Sequence, residues 1–340
     1  MTSILLTGTA GFIGSNFVPY FLEKYPKYNL VNLDLLTYAG DLENLKECKD
    51  NSRYKFIKGD ICNRELVEFV FNEYDIQGVI HFAAESHVDN SIKNPGVFVE
   101  TNVNGTFTLL DVAYKYWMYK PFTYKEKYNN CRFHHISTDE VYGTLSDDPK
   151  DLFTEETPYA PNSPYSASKA SSDMIVRSYQ ETYGMNTVIT NCSNNYGPKQ
   201  HDEKFIPTII RKILQGKSIP IYGDGKNIRD WLYVFDHCKG IDLVYHTGIE
   251  GNIYNIGGKN ERTNLQIVNK ICTILDEKVP SKTLSSYKDL ITFVEDRAGH
   301  DRRYAIDANK LEDTLGWKAD ENFDRGIVKT IEWYLEKYAI

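Results

Sequence analysis

Tyr165 and Lys169, whose side chains are typical of proton transfer, lie four positions apart at the start of an apparent helix. That spacing places both side chains on one face of the helix. A free phenol titrates near pH ~10, so a tyrosine base acting near neutrality needs its anion favoured by about 4 kcal/mol. An ammonium ~4 Å away supplies roughly that energy at an effective dielectric of ~20, so we expect Lys169 to lower the pKa of Tyr165. An isolated pair of this kind is more often part of an ordinary surface helix, so the interpretation depends on the other motifs.

Two adjacent acids, Asp139 and Glu140, follow an apolar run that ends at Thr138. An acidic pair at a strand end is commonly a solvated turn. Because the next helix carries Tyr165, we expect both carboxyl groups to line the same cleft, where burial and mutual repulsion hold one protonated and the other ionised. An acid and a base side by side suit the elimination of water.

The element that would hold a cofactor near these groups is a glycine turn near the N-terminus. Gly8, Gly11 and Gly14 follow a short apolar run and open a helix. Their spacing permits a tight turn and close approach to a pyrophosphate, which the helix N-terminus binds through free N–H groups. Asp34 ends the next apolar run, where its carboxylate would accept hydrogen bonds from a ribose diol and repel a 2′-phosphate. The pattern therefore favours NAD over NADP.

Apolar runs and segments of helical periodicity alternate along the chain. Strands are predicted over 54–58, 78–82, 132–137 and 186–191, with helices over 63–74 and 95–116. Repeated β-α-β units predict a Rossmann-type, doubly wound parallel sheet, with ligands at the carboxyl ends of its strands. We expect an NAD-binding domain over 1–192 and a smaller C-terminal α/β substrate-binding domain over 193–340, with segments around 231–258 returning to the first.

Composition narrows the class of protein. The chain has 340 residues, of which 41% are hydrophobic and 25% charged, and its net charge of -8 argues against nucleic acid as the main partner. Its six cysteines form no Cys-x-x-Cys pair, so neither a metal site nor a disulfide framework is indicated. No stretch reaches the ~20 apolar residues needed to span a bilayer, so no membrane association is predicted. We expect a cytoplasmic enzyme.

Together these motifs resemble the extended short-chain dehydrogenase/reductase family, and within it the nucleotide-sugar 4,6-dehydratases. The match runs nearly end to end, and Thr138-Asp139-Glu140 is its discriminating element. Related sugar 4-epimerases keep the glycines and the Tyr/Lys pair, but the resemblance implies small or hydroxyl residues where Asp139 and Glu140 stand. The segments that carry the match are 7–14, 34–40, 83–89, 138–140, 165–169, 194–198, 229–234, 263–264 and 296–301.

The resemblance implies a lyase that removes water from a dTDP-linked glucose, on a route such as dTDP-rhamnose biosynthesis. Tyr165, directly or through Thr138, would take the proton of the C4 hydroxyl while NAD accepts the C4 hydride. The resulting ketone acidifies C5, so Glu140 would remove the C5 proton while Asp139 protonates the departing C6 hydroxyl. Return of the hydride to C6 would restore NAD, and Lys169 would also bind the nicotinamide ribose.

Two larger sets of contacts follow from the resemblance. Predicted cofactor contacts are Gly8, Gly11, Phe12, Ile13, Gly14, Asp34, Leu35, Leu36, Thr37, Asp60, Ile61, Phe82, Ala83, Ala84, Glu85, Ser86, Thr101, Tyr165, Lys169 and Asn195. Predicted substrate contacts are Ser86, Thr138, Asn194, Lys204, Phe205, Pro220, Ile221, Tyr222, Arg229, Asn264, Arg297, His300 and Tyr304. Arg229 and Arg297 are the expected partners of the diphosphate.

Three alternatives remain open. They are an NAD-dependent nucleotide-sugar 4-epimerase, a dehydratase acting on a different nucleoside diphosphate hexose, and a catalytically silent NAD-sensing scaffold.

The helices over 95–116 and 165–183 would pair with their copies in a homodimer, as in relatives. The segment 117–130 has no predicted role.

Overall fold

The structure, a computed structural model, describes residues 1–296 and 301–339. In that part of the chain the strands are β1 (Thr2–Thr7), β2 (Tyr28–Asp34), β3 (Tyr54–Lys58), β4 (Ile76–His81), β5 (Met118–Lys120), β6 (Thr123–Tyr124), β7 (Arg132–Thr138), β8 (Thr187–Cys192), β9 (Asn194–Tyr196), β10 (Ile219–Tyr222), β11 (Ile228–Tyr233), β12 (Ile253–Ile256), β13 (Glu261–Thr263) and β14 (Ile291–Val294). The α-helices are α1 (Phe12–Lys24), α2 (Arg64–Tyr74), α3 (Val88–Lys93), α4 (Pro95–Phe98), α5 (Thr106–Trp117), α6 (Pro164–Tyr183), α7 (Phe205–Leu214), α8 (Val234–Thr247), α9 (Asn264–Lys278), α10 (Asn309–Leu315) and α11 (Phe323–Lys337). A π-helical stretch covers Val99–Gly105, and 3₁₀ turns cover Leu42–Cys48, Glu126–Tyr128, Asp139–Tyr142 and Tyr287–Leu290.

A parallel seven-stranded sheet forms the centre of the described chain, in the order β12-β8-β7-β4-β1-β2-β3. The chain winds outward from β1 in both directions, so the predicted doubly wound α/β fold is confirmed. The direction of winding changes between β1 and β4, which opens a crevice at the carboxyl ends of these two strands. The glycine turn, the predicted acids and Tyr165 all follow strand ends at this edge.

Both faces of this sheet are covered by helices. Along β1, Ile4 and Leu6 are buried with residues of α1 and α8, whereas Leu5 is buried with residues of α2, α5 and α6. This alternation is what a strand with two buried faces requires. The strands are therefore held between two apolar layers, and the residues at their ends are rigidly positioned.

Smaller sheets lie mainly in the C-terminal part of the described chain. One has the order β13-β11-β9 and another pairs β10 with β14. They share an apolar core with residues of α7, α9 and α11. Strand β12 instead pairs with β8 in the large sheet, so the chain returns there after β11. The division of the chain into two domains at residue 192 stays a prediction.

The helix predicted over 95–116 is interrupted. Between α4 and α5 the chain takes the π-helical stretch Val99–Gly105. Asn102 accounts for this local change: its Oδ1 accepts a hydrogen bond from Glu85 N at 2.8 Å, and its Nδ2 donates to Glu85 O at 3.0 Å. A π stretch admits one extra residue per turn, and such stretches are frequent at functional sites.

The segment 117–130 forms the β5-β6 hairpin and a 3₁₀ turn that brace the end of α5. Lys125 Nζ donates to the carbonyl oxygens of Lys115 and Tyr116 in the last turn of that helix. Tyr128 donates its hydroxyl to Asp75 at 2.9 Å. The segment 117–130, for which the sequence predicted no role, therefore supports the end of α5.

Candidate functional site

A cleft of about 320 Å³ runs along the carboxyl ends of the central strands. It contains the predicted catalytic residues, most of the predicted cofactor contacts and the first part of the segment after β9. The predicted catalytic residues that line it are Thr138, Asp139, Glu140, Tyr165 and Lys169. The structure therefore brings these five together, from the ends of β7 and the start of α6.

The glycine turn that joins β1 to α1 makes an unusually close backbone contact with the end of β4. Gly8 has φ of +70°, and a Cβ atom at this position would lie 2.4 Å from Ala83 Cα. Thr7 Oγ1 accepts a hydrogen bond from Ala83 N at 3.2 Å and so ties the two strand ends together. A side chain at residue 8 would separate the strands and fill the crevice, so glycine is required here. The open floor that results suits an extended dinucleotide.

Asp34, at the end of β2, faces the same turn. Its Oδ2 accepts a hydrogen bond from Ala10 N at 2.9 Å, and its Oδ1 accepts one from Leu36 N at 2.8 Å. Burial raises the pKa of Asp34, and these two backbone donors oppose that rise. A carboxylate anchored by backbone amides has a fixed orientation, which suits recognition of a ribose diol.

Of the predicted cofactor contacts, Leu36 alone does not line the cleft. Its side chain packs against the apolar core beneath, and its φ of +57° directs the backbone amide to Asp34. The members that do line the cleft are Gly8, Gly11, Phe12, Ile13, Gly14, Asp34, Leu35, Thr37, Asp60, Ile61, Phe82, Ala83, Ala84, Glu85, Ser86, Thr101, Tyr165, Lys169 and Asn195. Their roles in binding stay predictions.

Tyr165 and Lys169 lie on the first turns of α6, whose start is fixed by its sequence. Ser163 and Ser166 form a reciprocal capping box, and Pro164 occupies the first turn. Both Tyr165 and Lys169 are buried at the end of the sheet. The helix start is thus specified locally, while burial comes from packing on β7 and β8.

The expectation that Lys169 lowers the pKa of Tyr165 is wrong for this arrangement. Burial, with the charge of Glu140 added to it, raises the pKa of Tyr165 well above its ordinary value. Lys169 Nζ donates to Ile136 O at 2.8 Å and lies 3.3 Å from His135 Nε2. The ammonium is therefore held by β7, because the sequence spacing fixes the helix face but not the partner of a long side chain. A hydrogen bond from Thr138 acts in the opposite direction and favours the phenolate.

Asp139 and Glu140 begin the 3₁₀ turn that follows β7. Thr138 Oγ1 accepts a hydrogen bond from Glu140 N at 3.3 Å and so caps this turn. Asp139 is 2% exposed, and its Oδ2 has no hydrogen-bond partner among the described residues. Burial, with Glu140 and Asp230 nearby, raises the pKa of Asp139 well above its ordinary value. These surroundings favour the protonated form of Asp139, as the sequence predicted for one of the two acids.

A second group of predicted residues lies on the far side of Glu140. The Arg229 guanidinium stacks on the ring of Tyr304 at 4.3 Å, and its Nη2 donates to Asp301 O at 2.9 Å. Burial and then the charge of Glu140 raise the pKa of Tyr304, so Glu140 lies close to this pair as well as to Tyr165. One carboxylate thus stands between the predicted base and the predicted nucleotide-sugar contacts.

The other predicted substrate contacts are divided between the cleft and its surroundings. Those that line the cleft are Ser86, Thr138, Asn194 and Lys204. Those that lie outside its lining are Phe205, Pro220, Ile221, Tyr222, Arg229, Asn264 and Tyr304. Arg297 and His300 lie outside the described residues.

Residues 198–204, which we call the strap, connect the C-terminal part of the chain to the cofactor side of the cleft. Lys199 Nζ donates to Glu47 Oε1 at 2.7 Å and to Ser15 O at 3.1 Å. Lys204 Nζ donates to Ser86 O at 2.8 Å. Because Gln200, His201 and Lys204 line the cleft between these anchors, the strap covers part of it.

The sequence did not indicate several polar residues that position this site. Asn102 donates through Nδ2 to Ser168 Oγ at 2.8 Å, which links the π-helical stretch to α6. His135 and Asp173 are fully buried behind Lys169. A histidine within an apolar strand and an acid on the buried face of a helix were the available signals, since such groups are rarely buried without partners.

Among the described residues no helix combines the length and apolar character needed to cross a membrane.

The model of the family described as GDP-mannose 4,6 dehydratase matches residues 5–330. The chain is 54% identical to a dTDP-glucose 4,6-dehydratase from Salmonella typhimurium, covering 98% of this chain and 92% of that protein. It is 46% identical to a crystal structure of dTDP-glucose 4,6-dehydratase from Bacillus anthracis in complex with NAD, with a TM-score of 0.86 and coverage of 100% and 98%. For the dTDP-glucose 4,6-dehydratase DesIV from Streptomyces venezuelae, crystallised with NAD, the identity is 42%, the TM-score 0.89 and the coverage 99% and 98%.

Proposed function

The chain belongs to the GDP-mannose 4,6 dehydratase family, and we propose that it is an NAD-dependent hydro-lyase that converts dTDP-glucose to dTDP-4-keto-6-deoxyglucose. The observation that carries the proposal is the pair Asp139 and Glu140, which lines one cleft with Tyr165 and Lys169. Oxidation at C4 needs only a base and a cofactor, whereas loss of water across C5 and C6 needs an additional base and an additional acid. This site holds candidates for all of them.

The cofactor fits the crevice between β1 and β4. The glycine turn leaves room beside Ala83, and Asp34 presents an anchored carboxylate for a ribose. The chemistry that bound NAD would supply is reversible hydride acceptance at its nicotinamide ring, from C4 of the sugar and back to C6. Tyr165, Lys169 and Asn195 line the part of the cleft near the carboxyl ends of β7 and β8, where we place this ring.

The first half of the reaction removes the proton of the C4 hydroxyl. Tyr165 is the base. Burial and the charge of Glu140 raise its pKa, so another group must favour its phenolate during the reaction. Thr138 hydrogen bonds to Tyr165 and favours its phenolate, so Thr138 either assists Tyr165 or passes the proton to it. A 4-ketone then makes the hydrogen at C5 acidic.

The second half removes water. Glu140 acts as the base at C5, and Asp139, whose protonated form its environment favours, donates to the departing C6 hydroxyl. Asp139 is almost fully enclosed and Glu140 is only partly buried, so burial opposes ionisation of Asp139 more strongly. Two acids with opposed protonation states are what an elimination needs from its general acid and general base.

The nucleotide would bind beyond Glu140. Arg229, stacked on Tyr304, offers a guanidinium for the diphosphate. Tyr222 on β10 and Asn264 at the start of α9 lie in the same part of the chain and are the proposed contacts for the base and its sugar. Thymidine is proposed because the relatives from Salmonella typhimurium and Bacillus anthracis are dTDP-glucose 4,6-dehydratases.

The proposal also covers the oligomeric state and the cellular compartment. Exposed apolar side chains on α3, α4, the π-helical stretch, α5 and α6 support a homodimer in which these helices pair with their copies, namely Ile92, Val97, Val99, Phe107 and Met174. All six cysteines are unpaired, which fits a reducing compartment such as the cytoplasm. The product would then enter deoxysugar biosynthesis, with dTDP-rhamnose as the proposed end point.

Incubation of the purified protein with dTDP-glucose tests this proposal, with NMR of the sugar product as the measurement. A 4-keto-6-deoxy sugar is expected. Recovery of a galactose epimer would establish a 4-epimerase, and unchanged substrate with bound NAD would establish a sensing scaffold. Parallel incubations with UDP-, CDP- and GDP-glucose separate the proposed substrate from other nucleoside diphosphate hexoses.

A further inference from the structure

Asp173 is a fully buried carboxylate two turns along α6 from Tyr165 and one turn from Lys169. Its Oδ2 accepts hydrogen bonds from Ser137 Oγ at 2.8 Å and from Tyr159 Oη at 3.0 Å. Its Oδ1 lies 3.2 Å from His135 Nε2. A buried charge is costly unless other groups compensate it, so this position needs a reason.

The same imidazole nitrogen approaches Lys169. His135 Nε2 is 3.3 Å from Lys169 Nζ. Lys169 Nζ also donates a shorter hydrogen bond to Ile136 O at 2.8 Å. The spacing of Tyr165, Lys169 and Asp173 by four residues places all three on one face of α6. That face packs on β7, whose alternate residues His135 and Ser137 point to the same side. The local geometry therefore joins Lys169, His135 and Asp173 in one buried cluster.

We propose that Asp173 is a positioning residue for the reaction: its carboxylate is the counter-charge that keeps the Lys169 ammonium charged inside the protein, with the ring of His135 next to both groups. The inference rests on the proposed function for its catalytic meaning. Asp173 does not itself line the cleft, so we expect it to act on the reaction through its charge on Lys169.

The electrostatics of the cluster agree with this role. Burial lowers the pKa of Lys169 to about 8, and the charge of Asp173 opposes that fall. Burial raises the pKa of Asp173 to about 6, and Lys169, Ser137 and Tyr159 oppose that rise. Burial also keeps the pKa of His135 well below its ordinary value, so the imidazole is neutral. The titratable groups that face these residues are His81, His135, Tyr142, Tyr159, Tyr165 and Cys192.

Between pH 6 and pH 8, therefore, Asp173 is ionised and Lys169 is charged. Loss of the carboxylate would remove the interaction that resists deprotonation of the ammonium. The pKa of Lys169 would then fall, and the alkaline limit of activity would move to lower pH. An opposite charge at this range typically accounts for a shift of about 1–3 pH units.

The test compares wild type with Asp173→Asn in two measurements. The first is the pH dependence of the rate of cofactor reduction in a single turnover. The second, which needs no substrate, is the ¹³C shift of Lys169 Cε against pH in protein labelled with [ε-¹³C]lysine, assigned by the signal that Lys169→Met removes. We expect both the alkaline limb and the Lys169 midpoint to move down by about 1–3 pH units in Asp173→Asn. Superimposable curves would overturn the proposal.

Tyr159→Phe is the matched control, because it removes one hydrogen bond to Asp173 and keeps the charge. The alkaline limb of its pH profile should coincide with that of wild type. A shift as large as that of Asp173→Asn would show that the effect comes from altered packing and not from the lost charge. If Asp173→Asn does not fold, wild type alone decides: its Lys169 signal should show a second inflection near pH 6, where Asp173 takes up a proton. A single inflection would contradict the inference. Failure of the proposed function is separate, since it appears as absence of the 4-keto-6-deoxy product in wild type.

Discussion

At the scale of single residues, Glu140 connects the two halves of the site. Its charge raises the pKa of Tyr165 on one side and of Tyr304 on the other, in each case after burial. A carboxylate in this position is well placed to act on C5 of a sugar whose C4 hydroxyl faces Tyr165 and whose diphosphate faces Arg229. The chemistry at C4 and that at C5 should therefore be separable by one substitution.

Glu140→Gln is expected to retain cofactor reduction and to lose dehydration. The amide keeps the size of the side chain but cannot accept the C5 proton, and removal of a general base typically costs about 10²–10⁴-fold in rate. Reduced nicotinamide should accumulate, as measured by its absorbance, while formation of the 4-keto-6-deoxy product falls by that factor.

The same exchange at exposed Glu156 serves as the control and should leave both rates unchanged. Full dehydration by Glu140→Gln would assign the C5 proton to another base. Loss of cofactor reduction together with dehydration would instead place Glu140 in the first half of the reaction.

The sequence was sufficient to identify these residues but not their protonation states. The types and spacing of Tyr165 and Lys169 predicted a pair on one helix face, and the structure has them there. The pKa of Tyr165 was mispredicted because it depends on burial and on Glu140, and because Ile136 O captures the ammonium. Such contacts join distant parts of the chain and leave no local pattern.

At the scale of elements, we expect the strap to hold one cofactor molecule in the cleft through both halves of the reaction. Its Lys199 is anchored to Ser15 O on α1 and to Glu47 Oε1 on the neighbouring 3₁₀ turn. Retention of the reduced cofactor through the cycle requires that this cover stays closed until the hydride has returned to the sugar.

Lys199→Met is expected to release the cofactor faster. Loss of a partly buried ion pair and a backbone hydrogen bond should cost about 1–2 kcal/mol, or roughly tenfold in the dissociation rate. Stopped-flow displacement of the reduced cofactor measures that rate. Lys46→Met, an exchange at an exposed position beside Glu47, should leave it unchanged, and equal rates in the two variants would exclude the strap from retention.

Arg303 has a structural task that the adjacent Arg302 does not share. Arg303 is 1% exposed and donates to both carboxylate oxygens of Glu261 and to the carbonyl oxygens of Ser146, Asp148 and Asp151. It therefore joins β13 to the loop after the 3₁₀ turn of Asp139 and Glu140. Arg302 is exposed and pairs with the exposed carboxylate of Asp224.

Arg303→Met should lower the free energy of unfolding by about 2–4 kcal/mol, because it removes all the hydrogen bonds of one buried guanidinium. Arg302→Met should lower it by at most about 1 kcal/mol, as is usual for exposed ion pairs. Chemical denaturation of both variants measures the difference. Equal losses would show that burial of Arg303 does not control the stability of this region.

Element boundaries followed closely from periodicity wherever a helix or strand has an ordinary environment. The strand predicted over 54–58 coincides with β3, and the helix predicted over 63–74 starts one residue later as α2. The helix predicted over 95–116 is the exception, because Asn102 bonds to the backbone of Glu85 and the chain accommodates it with a π-helical stretch. A side chain that competes for a distant backbone cannot be recognised from spacing.

At the scale of the whole molecule, the order of strands places every proposed catalytic group at one edge of the sheet. That arrangement could be predicted because repeated β-α-β units permit few topologies. The number of subunits could not, since it depends on which apolar side chains remain exposed after folding. Val97, Val99, Phe107 and Met174 remain so on adjacent helices, and they support the proposed homodimer.

Phe107→Glu should convert the proposed dimer to a monomer. In a symmetric interface the substitution places two like charges close together, where burial of unpaired carboxylates is strongly unfavourable. Light scattering after size-exclusion chromatography measures the mass. Ile249→Glu, at an exposed apolar position after α8, should keep the wild-type mass, and a dimeric Phe107→Glu would place the interface elsewhere.

We expect a single bound cofactor to take a hydride from C4 and to return it to C6 of the same sugar after water has left. The most direct measurement is the fate of deuterium when the wild-type protein acts on dTDP-[4-²H]glucose, followed by NMR of the product. Deuterium is expected in the C6 methyl group of the 4-keto-6-deoxy sugar. Deuterium that remains at C4 of an epimerised hexose, or that is absent from C6 of the product, would contradict it.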